Sequence, residues 1–455
     1  MNQNSIGAEA VGNAVLQTSI GSWITKISAL FSSLIIFRLL DPATYGIWRI
    51  ALSLTALLLG GLTALGSVIA IEAIRSMNDT EKTGLILWRG FVRVTLLIAG
   101  ILLTIGIIFA DRLAHLLKIQ DARLIILAFF LMVFWLIKVH AFSWFSIMYQ
   151  FQNQLYIQIV ESLLYLALLI FFLVMRHDGA WGLGLANVVT AGGIAGAMAP
   201  ILFVKMRQCP NTSFRQEIRA LFRLFGQHGK WALATDVLKD YLDAGRIWLL
   251  AVFVGPTAVG LFGLAESLLG HVAGLLSFGP ALTGLLPRLV QDTERLSRAI
   301  ARAVRVGTLL SIGIFVLSSL GIWFILPFLF PKFVPAVALY LVLSAVILFI
   351  AFGAVLNALY PALRLQKVLC GLSSVRIIFS AVFLWILLPS LGVWAVALES
   401  LTGTLFFLLI RWLWIRSHLH LSLGLRDFVP QRSDVLEIKN FLQRKMKHFF
   451  LSSSV

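Results

Sequence analysis

The chain has 455 residues, of which 60% are hydrophobic and only 13% charged, and its formal net charge is +17. Soluble globular proteins are about one quarter charged, so this composition and a mean hydropathy of +0.94 exclude an ordinary water-soluble protein. The sequence contains no Walker A loop, GxGxxG fingerprint, HExxH or GxSxG motif. We therefore expect no enzyme activity, no catalytic residues, no metal site and no cofactor. Any energy source would be a gradient or the removal of the substrate, not ATP.

Apolar runs recur along the whole sequence, and each is long enough to cross about 30 Å of hydrocarbon as a helix. The first run has no basic region before it, so we predict a retained span rather than a cleaved signal peptide. The fold class predicted is an all-α polytopic membrane protein with about twelve transmembrane helices. The spans lie at roughly 16–40, 46–74, 90–110, 122–148, 155–175, 180–204, 230–254, 258–286, 303–326, 336–362, 367–388 and 391–415.

Lysine and arginine are concentrated in alternate connections between these spans. One side carries most of them, including those of the linker 205–229 and of the tail 416–455. The opposite side carries only Arg112, Lys118, Arg123, Arg176 and Lys332. The positive-inside rule then predicts an even number of spans, with both termini cytoplasmic and the chain in the cytoplasmic (inner) membrane. A nucleic-acid partner would need a basic domain outside the membrane, so none is expected.

Two of the basic cytoplasmic stretches are amphipathic. In "SFRQEIRALFRLF" (213–225) apolar residues share one face, and Ser213 and Gln216 have capping-box spacing. The stretch "DVLEIKNFLQRKMKHFF" (434–450) repeats the pattern. Both are predicted either to lie on the inner leaflet or to serve as solvated connectors.

The sequence contains an internal repeat. Aligning "LLDPATYGIW" (39–48) with "FVGPTAVGLF" (253–262) and "GAWGLGLANVV" (179–189) with "GVWAVALESLT" (392–402) requires nearly the same shift. An even number of spans per repeat makes the two repeats parallel. The sequence thus predicts a six-helix lobe at 1–204, a linker at 205–229, a second six-helix lobe at 230–415 and a tail at 416–455.

These landmarks also carry a family resemblance. The Pro-x-x-[Tyr/Val]-Gly turns before spans 2 and 8 are joined by "YLDAGRIWLL" (241–250), "PRLVQDTERLSRAIARAVR" (287–305) and "LPFLFPKFVPAVALYLVLSAV" (326–346). Together they resemble the polysaccharide-biosynthesis membrane proteins, the O-antigen flippases of the multidrug/oligosaccharidyl-lipid/polysaccharide (MOP) exporter superfamily. The resemblance implies a V-shaped, MATE-like bundle that moves a lipid-linked oligosaccharide to the outer leaflet. Relatives often have adjacent Asp and Arg or Lys in span 7, whereas this chain has Asp243-Ala-Gly-Arg246.

Span 7 contains an unusual set of charges, Asp236, Lys239, Asp240, Asp243 and Arg246. Their spacing places them on one helical stripe. A charge at the bilayer centre costs about 2.5–3.5 kcal/mol, so such a stripe faces water or a partner. It either lines a hydrated cavity, or it only neutralises itself through pairing of Asp243 with Arg246 or Lys239.

Further ionisable residues lie in or beside other predicted spans. Cations exceed acids, as a cavity that holds a polyprenyl pyrophosphate requires. The candidate substrate-binding cations are Lys26, Arg49, Arg93, Lys138, Lys239, Arg246 and Arg376. The candidate acids, which could also couple an ion, are Asp236, Asp240, Asp243, Glu161 and Glu266. His140 is predicted to be a hydrogen-bonded packing residue.

The predicted function is therefore a flippase for a lipid-linked oligosaccharide, with membrane lipids, a polysaccharide polymerase and a chain-length regulator as partners. A cation-coupled drug antiporter of the same superfamily is the alternative, and it would favour an acidic cavity. A membrane polysaccharide polymerase would need a large outer loop. Cys209 and Cys370 are far apart with no CxxC, which predicts no disulfide and no metal site.

Overall fold

The computed structural model describes residues 8–63, 66, 69, 83–148, 150–210, 212–226, 230–276, 293–363, 365–419 and 431. Within these residues the chain is helical and has no β-strand. The amphipathic stretch predicted at 434–450 lies outside them, as do most of residues 64–82 and all of 277–292.

The chain divides into two compact units, Met1–Gly263 with Leu388–Val393, and Leu264–Leu387 with Trp394–Val455. The first unit contains α1 (Ala8–Leu39), α2 (Pro42–Thr63), α3 (Thr83–Ile108), α4 (Ala110–Leu116), α5 (Arg123–Ile147), α6 (Phe151–Leu169, extended by a π-helical turn, Ile170–Met175), α7 (Gly179–Gln208), α8 (Phe214–Leu224), α9 (Lys230–Phe253) and the first part of α10 (Pro256–Ala273). The second unit contains the rest of α10, α11 (Thr293–Leu329), α12 (Pro335–Ser344), α13 (Ile350–Ala362) and most of α14 (Gln366–Leu391) and α15 (Val393–Leu419).

The predicted all-helical membrane class is confirmed. Among the described residues, nine helices are long and apolar enough to cross a membrane. The predicted spans 1, 7 and 8 overlap α1, α9 and α10, which are not among the nine. Predicted span 10 is interrupted by a 3₁₀ turn, Ala345–Phe349, between α12 and α13.

Local sequence explains where α2 begins. Asp41 is its N-cap: the carboxylate accepts hydrogen bonds from the Thr44 backbone N–H at 2.9 Å and from the Thr44 hydroxyl at 2.8 Å. Pro42 occupies the first helical position, where no N–H is needed. Burial raises the pKa of the Asp41 carboxyl, but the hydrogen bonds from Thr44 and the neighbouring backbone outweigh it and hold this pKa below its usual value.

The first unit is organised around α2, which contacts α5 and α9. The Thr55 hydroxyl of α2 donates to the Ala128 carbonyl of α5 at 2.8 Å. On another side of α2, the Trp248 indole of α9 donates to the Ser53 hydroxyl at 2.9 Å. The Trp248–Ser53 bond places the charged helix α9 directly beside α2.

The two turns that the repeat aligned, before α2 and before α10, pack on each other reciprocally. A Cβ added to Gly46 would lie 1.9 Å from the carbonyl oxygen of Pro256, and a Cβ added to Gly260 would lie 1.8 Å from the carbonyl oxygen of Pro42. Because each glycine faces the other turn's proline carbonyl, the contact has a local two-fold relation. Only glycine permits this approach of two backbones.

In the second unit, α11, α13 and α15 enclose an apolar core. Its fully buried members include Ile300, Leu356, Leu359 and Ile415. Tyr360 spans this core, and its hydroxyl donates to the Arg411 carbonyl at 3.0 Å.

Candidate functional site

A cavity of about 220 Å³ whose lining includes several polar side chains lies within the first unit, where α1, α5, α6 and α7 meet. At its wall the Lys138 ammonium is 2.6 Å from the Glu161 carboxylate, and each side chain is 21% exposed. The cavity is also lined by Thr25, Ser28, Trp135, Ser162, Tyr165, Asn187 and Thr190.

The structure thus brings together one predicted cation and one predicted acid from neighbouring helices, α5 and α6. A lysine and a glutamate in contact neutralise each other, so neither carries an unpaired charge into the apolar interior. The surrounding hydroxyl and amide groups give the pair a polar environment that could also accept a small cation or a proton.

His140, two residues beyond Lys138, is only 1% exposed. Its Nε2 atom lies 2.7 Å from the Thr95 hydroxyl of α3, and the ring meets Phe91 edge-on at 5.3 Å between centroids. The prediction that His140 is a hydrogen-bonded packing residue is confirmed.

The charged stripe of α9 is largely accessible. Asp236, Lys239 and Asp243 are exposed, whereas Asp240 is partly buried. The Asp240 carboxylate lies against Gly60 of α2, where an added Cβ would come within 1.7 Å of its oxygen. The absence of a side chain at Gly60 therefore makes room for this acid beside α2.

Arg246, the last member of the stripe, has its side chain only 8% exposed. Its guanidinium is 3.3 Å from the Asp243 carboxylate, one turn earlier on α9, and Asp243 is 49% exposed. Of the two pairings predicted for Asp243, the structure therefore contains the one with Arg246. The pair is asymmetric, because the cation is buried and the acid remains accessible.

The other predicted residues are distributed over both units. Lys26 on α1 and Arg49 on α2 are partly buried, and Arg49 packs against Gly263, whose added Cβ would be 3.4 Å from its Cγ. Glu266 on α10 and Arg376 on α14 belong to the second unit. The Arg376 guanidinium lies over the Phe407 ring, 5.0 Å from its centroid.

Arg93, predicted to bind substrate, lies in an ion-pair cluster that the sequence analysis did not anticipate. Its guanidinium donates to both carboxylate oxygens of Glu217, at 3.0 and 3.1 Å. Arg89, one turn earlier on α3, donates to Glu217 through Nε at 2.7 Å and to the Thr212 hydroxyl at 2.6 Å. Glu217 is fully buried, whereas the Arg93 side chain is 40% exposed. The cluster fastens α8 to α3.

A signal for this cluster was present in the sequence. Glu217 is the only acid in α8, a helix with three arginines, and it follows the capping residue Ser213 by four positions. The predicted capping box is confirmed: the Ser213 hydroxyl accepts from the Gln216 N–H at 3.3 Å, and the Gln216 side chain accepts from the Ser213 N–H at 3.0 Å. A lone acid on a basic amphipathic helix indicates a buried ion pair, but not which helix supplies the cations.

Two further buried charges in the second unit were also missed. Arg411 is 2% exposed and lies over the rings of Tyr360 and Phe407, each 4.9 Å from the centroid. Its guanidinium also donates to the Asn357 side-chain carbonyl at 2.9 Å. Glu399 is fully buried and accepts a hydrogen bond from the Ser380 hydroxyl.

Both cysteine thiols are free and buried. Cys209 follows α7, and burial raises its pKa to about 11. Its carbonyl accepts from Arg89 at 3.4 Å, which links this turn to the Glu217 cluster.

Solved structures with the same fold are membrane transporters. A multidrug resistance MATE family transporter of the MOP superfamily, in an inward-facing conformation, superposes with a TM-score of 0.71 at 16% identity, covering 90% of this chain and 98% of that chain. The lipid II flippase MurJ, in an inward closed conformation, gives 0.70 at 12% identity, covering 91% and 89%. A MOP superfamily transporter from Pyrococcus furiosus, described as having a binding pocket of reverse polarity, gives 0.54 at 15% identity, covering 90% and 96%.

No curated protein sequence matches the chain significantly. Residues 11–292 match the family described as "Polysaccharide biosynthesis protein". This match and the shared MOP-type fold agree with the resemblance of the repeated turns to those of polysaccharide-biosynthesis membrane proteins. Because the matched region is more than half of the 455 residues, the chain belongs to the polysaccharide biosynthesis protein family.

Proposed function

We propose that the protein is a flippase that moves a polyprenyl-pyrophosphate-linked oligosaccharide from the inner to the outer leaflet of the cytoplasmic membrane. The translocated oligosaccharide would supply surface polysaccharide synthesis, with a polymerase and a chain-length regulator acting after it. Family membership supports this proposal, and so does the fold shared with the lipid II flippase. The protein would act by alternating access, without covalent chemistry.

The charged stripe of α9 is the observation that carries the proposal. Asp236, Lys239 and Asp243 are exposed in a helix that lies among membrane spans. Since a charge facing hydrocarbon costs about 2.5–3.5 kcal/mol at the bilayer centre, this face borders a hydrated passage. A hydrated passage lined by charges suits a sugar-pyrophosphate head group, while the prenyl chain stays in lipid.

Cations along the passage would hold the pyrophosphate. Arg246 offers a planar guanidinium that can bind phosphate oxygens bidentately, and Lys239 offers a point charge. Asp243 is accessible and neutralises Arg246 when no substrate is bound. The Lys138–Glu161 cavity would be the site where a proton or cation couples to the cycle.

The reciprocal contact between the turns before α2 and α10 would close the outer end of the passage. In the proposed topology, with both termini cytoplasmic, both turns lie on the outer side. Lys118 lies on the same side and donates to the Val252 carbonyl near the end of α9 at 2.5 Å. Opening toward the outer leaflet would separate α2 from α10 at Gly46 and Gly260.

A cation-coupled antiporter of drugs or other small molecules is the competing function. The similarity to a MATE multidrug transporter and the acids Asp236, Asp240 and Asp243 on α9 favour it. Reconstitution separates the two functions: the flippase reorients a labelled lipid-linked oligosaccharide in liposomes, whereas the antiporter moves a fluorescent cationic drug against an imposed ion gradient.

A double-mutant cycle tests the role of Arg246. Breaking a buried ion pair costs about 3–5 kcal/mol when the remaining partner is buried. We therefore expect Asp243→Leu, which removes the Asp243 carboxylate from the buried Arg246, to lower membrane abundance more than Arg246→Met. The double variant should recover abundance but fail to export polysaccharide, because the phosphate-binding cation is gone.

The exposed pair Glu294–Arg298, with side chains 84% and 71% exposed, provides the matched control. The double change Glu294→Leu with Arg298→Met should leave both abundance and export unchanged. Normal export by the Asp243→Leu/Arg246→Met variant would contradict the proposed role and make this pair purely structural.

A further inference from the structure

A second cavity in the first unit, of about 300 Å³, is almost wholly apolar. It lies where α2, α3, α8 and α9 meet, and it is lined by Gly61, Leu62, Phe91, Val94, Thr95, Ile98, Ile218, Leu221, Phe222, Phe225 and Leu233. Thr95 is the one residue of this lining with a polar side chain, and its hydroxyl is engaged with the Phe91 carbonyl at 2.8 Å and with His140 at 2.7 Å. The cavity therefore offers no polar group to water.

The wall formed by α8 is fixed in place. Glu217, fully buried, is held by Arg89 and Arg93 of α3, and the next residue, Ile218, lines the cavity. A helix pinned by a buried ion-pair cluster keeps its apolar face at a constant distance from α3. The cavity is thus a preformed feature of the fold, within the size range of small-molecule sites.

The same helix carries three exposed cations, Arg215, Arg219 and Arg223. Arg219 and Arg215 precede Phe222 of the cavity lining by one and two helical turns, so they lie beside it on the helix surface. Phe222, which lines the cavity, is itself 70% exposed, so the cavity is not sealed by this ring.

We propose that this cavity binds an anionic phospholipid of the surrounding membrane. One hydrocarbon chain would occupy the apolar cavity beneath α8, and the phosphate would contact the exposed Arg215 and Arg219 of α8. The lining fits a hydrocarbon chain because it leaves no polar group unsatisfied when water is excluded. The cations fit a phosphate-bearing head group because arginine binds phosphate oxygens through paired N–H donors. This proposal requires only that the protein is a membrane protein, so it stands apart from the substrate proposed above.

Native mass spectrometry of the full-length protein, delipidated in detergent, measures the binding directly. The probes are phosphatidylglycerol, phosphatidylcholine with matched acyl chains, and undecaprenyl phosphate. We expect one phosphatidylglycerol to be retained in preference to phosphatidylcholine. Removing one arginine charge with Arg215→Gln or Arg219→Gln should weaken retention of phosphatidylglycerol about fivefold. This factor corresponds to about 1 kcal/mol for each basic residue near an anionic lipid.

Filling the cavity provides the second arm. Val94→Trp and, independently, Ile218→Trp should abolish retention of phosphatidylglycerol and its thermal stabilisation of the protein. Leu97→Trp is the matched control, because Leu97 is on the same helix as Val94, is 61% exposed and does not line the cavity. Each variant is used only if it elutes as a single species and unfolds cooperatively in detergent alone; two independent filling variants keep the test decisive.

Three results would overturn the proposal. One is equal retention of phosphatidylglycerol and phosphatidylcholine, which would remove the role of the arginines. Another is unchanged binding in both filling variants, which would place the lipid elsewhere. The third is preferential, Val94-dependent retention of undecaprenyl phosphate, which would assign the cavity to an isoprenoid carrier instead of a phospholipid.

Discussion

At the scale of single residues, Glu217 shows how one side chain can hold an amphipathic helix. It is fully buried between two arginines of α3, and Arg89 is only 4% exposed. We expect Glu217→Gln, which keeps the shape but removes the charge, to lower the free energy of unfolding by about 3–5 kcal/mol. Thermal unfolding of the purified protein in detergent measures this loss.

A thiol reports whether α8 is released in that variant. Cys209 is buried with its pKa raised to about 11, so in the intact protein it reacts slowly with maleimide. In a Cys370→Ser background, Glu217→Gln should accelerate its labelling. Asp121→Asn is the control, because the Asp121–Arg123 pair is exposed and such pairs contribute about 1 kcal/mol or less. Equal labelling of both variants would show that α8 does not depend on the cluster.

Asp41 gives a prediction for pH dependence. Its folded-state pKa lies below the usual carboxyl value, so its contribution to stability is fully present above that usual value and is lost as pH falls through the folded pKa. We expect Asp41→Ala to lower stability by about 1 kcal/mol at neutral pH. Asp41→Asn should keep most of the stability, because asparagine also caps helices, but its stability should no longer fall at acidic pH. Thermal unfolding in detergent as a function of pH measures both effects. An Asn variant whose stability falls with pH as that of the native protein does would contradict this assignment.

At the scale of elements, the repeated turns are more than markers of duplication. The sequence predicts that Pro42 and Gly46 correspond to Pro256 and Gly260, but correspondence in a repeat says nothing about contact. The structure shows that these two turns pack on each other. Glycine is required at both positions because the atom opposite each Cα is a backbone carbonyl oxygen, which cannot rotate away as a side chain can.

Gly46→Ala and Gly260→Ala should each force α2 and α10 apart. Overpacking of this kind typically lowers the free energy of unfolding by about 1–3 kcal/mol. We expect both variants near the upper limit of this range, because the backbone opposite each glycine is rigid. Gly100→Ala on α3 is the control, because nothing lies within 4 Å of its added Cβ and glycine to alanine within a helix is then neutral or stabilising. Comparable unfolding temperatures for Gly46→Ala and Gly100→Ala would rule out the tight contact.

Most element boundaries follow from hydropathy and caps. The twelve predicted spans all correspond to helices in the described residues, because a run of apolar residues in a membrane can satisfy its backbone only as a helix. The sequence 287–305 predicts a basic helix that leads into span 9, and α11 accordingly begins ten residues before that span, in basic turns of low hydropathy. The 3₁₀ interruption at Ala345–Phe349 has no polar residue to reveal it.

At the scale of the whole molecule, topology remains a prediction from the lysine and arginine distribution. A reporter fused at Val455 should be cytoplasmic, and one inserted near His177 should be periplasmic, because the positive-inside rule places the basic linker and tail inside. Enzymatic activity of an alkaline phosphatase fusion, which requires export, distinguishes the two sides. The opposite pattern would invert the passage, and the Gly46–Gly260 contact would then lie on the cytoplasmic side.

The sequence by itself determined the membrane class, the order of the spans, the family resemblance and the one-sided stripe of α9, because hydropathy, helical periodicity and repeat spacing are local properties of the chain. Only the tertiary structure decided how the charges are used. The ion pairs join residues far apart in the chain: 23 residues separate Lys138 from Glu161, and 124 separate Arg93 from Glu217. A single sequence does not show which residues of such distant helices face each other. Helix packing decides this, and it therefore decides which ions neutralise each other and which stay exposed for a ligand.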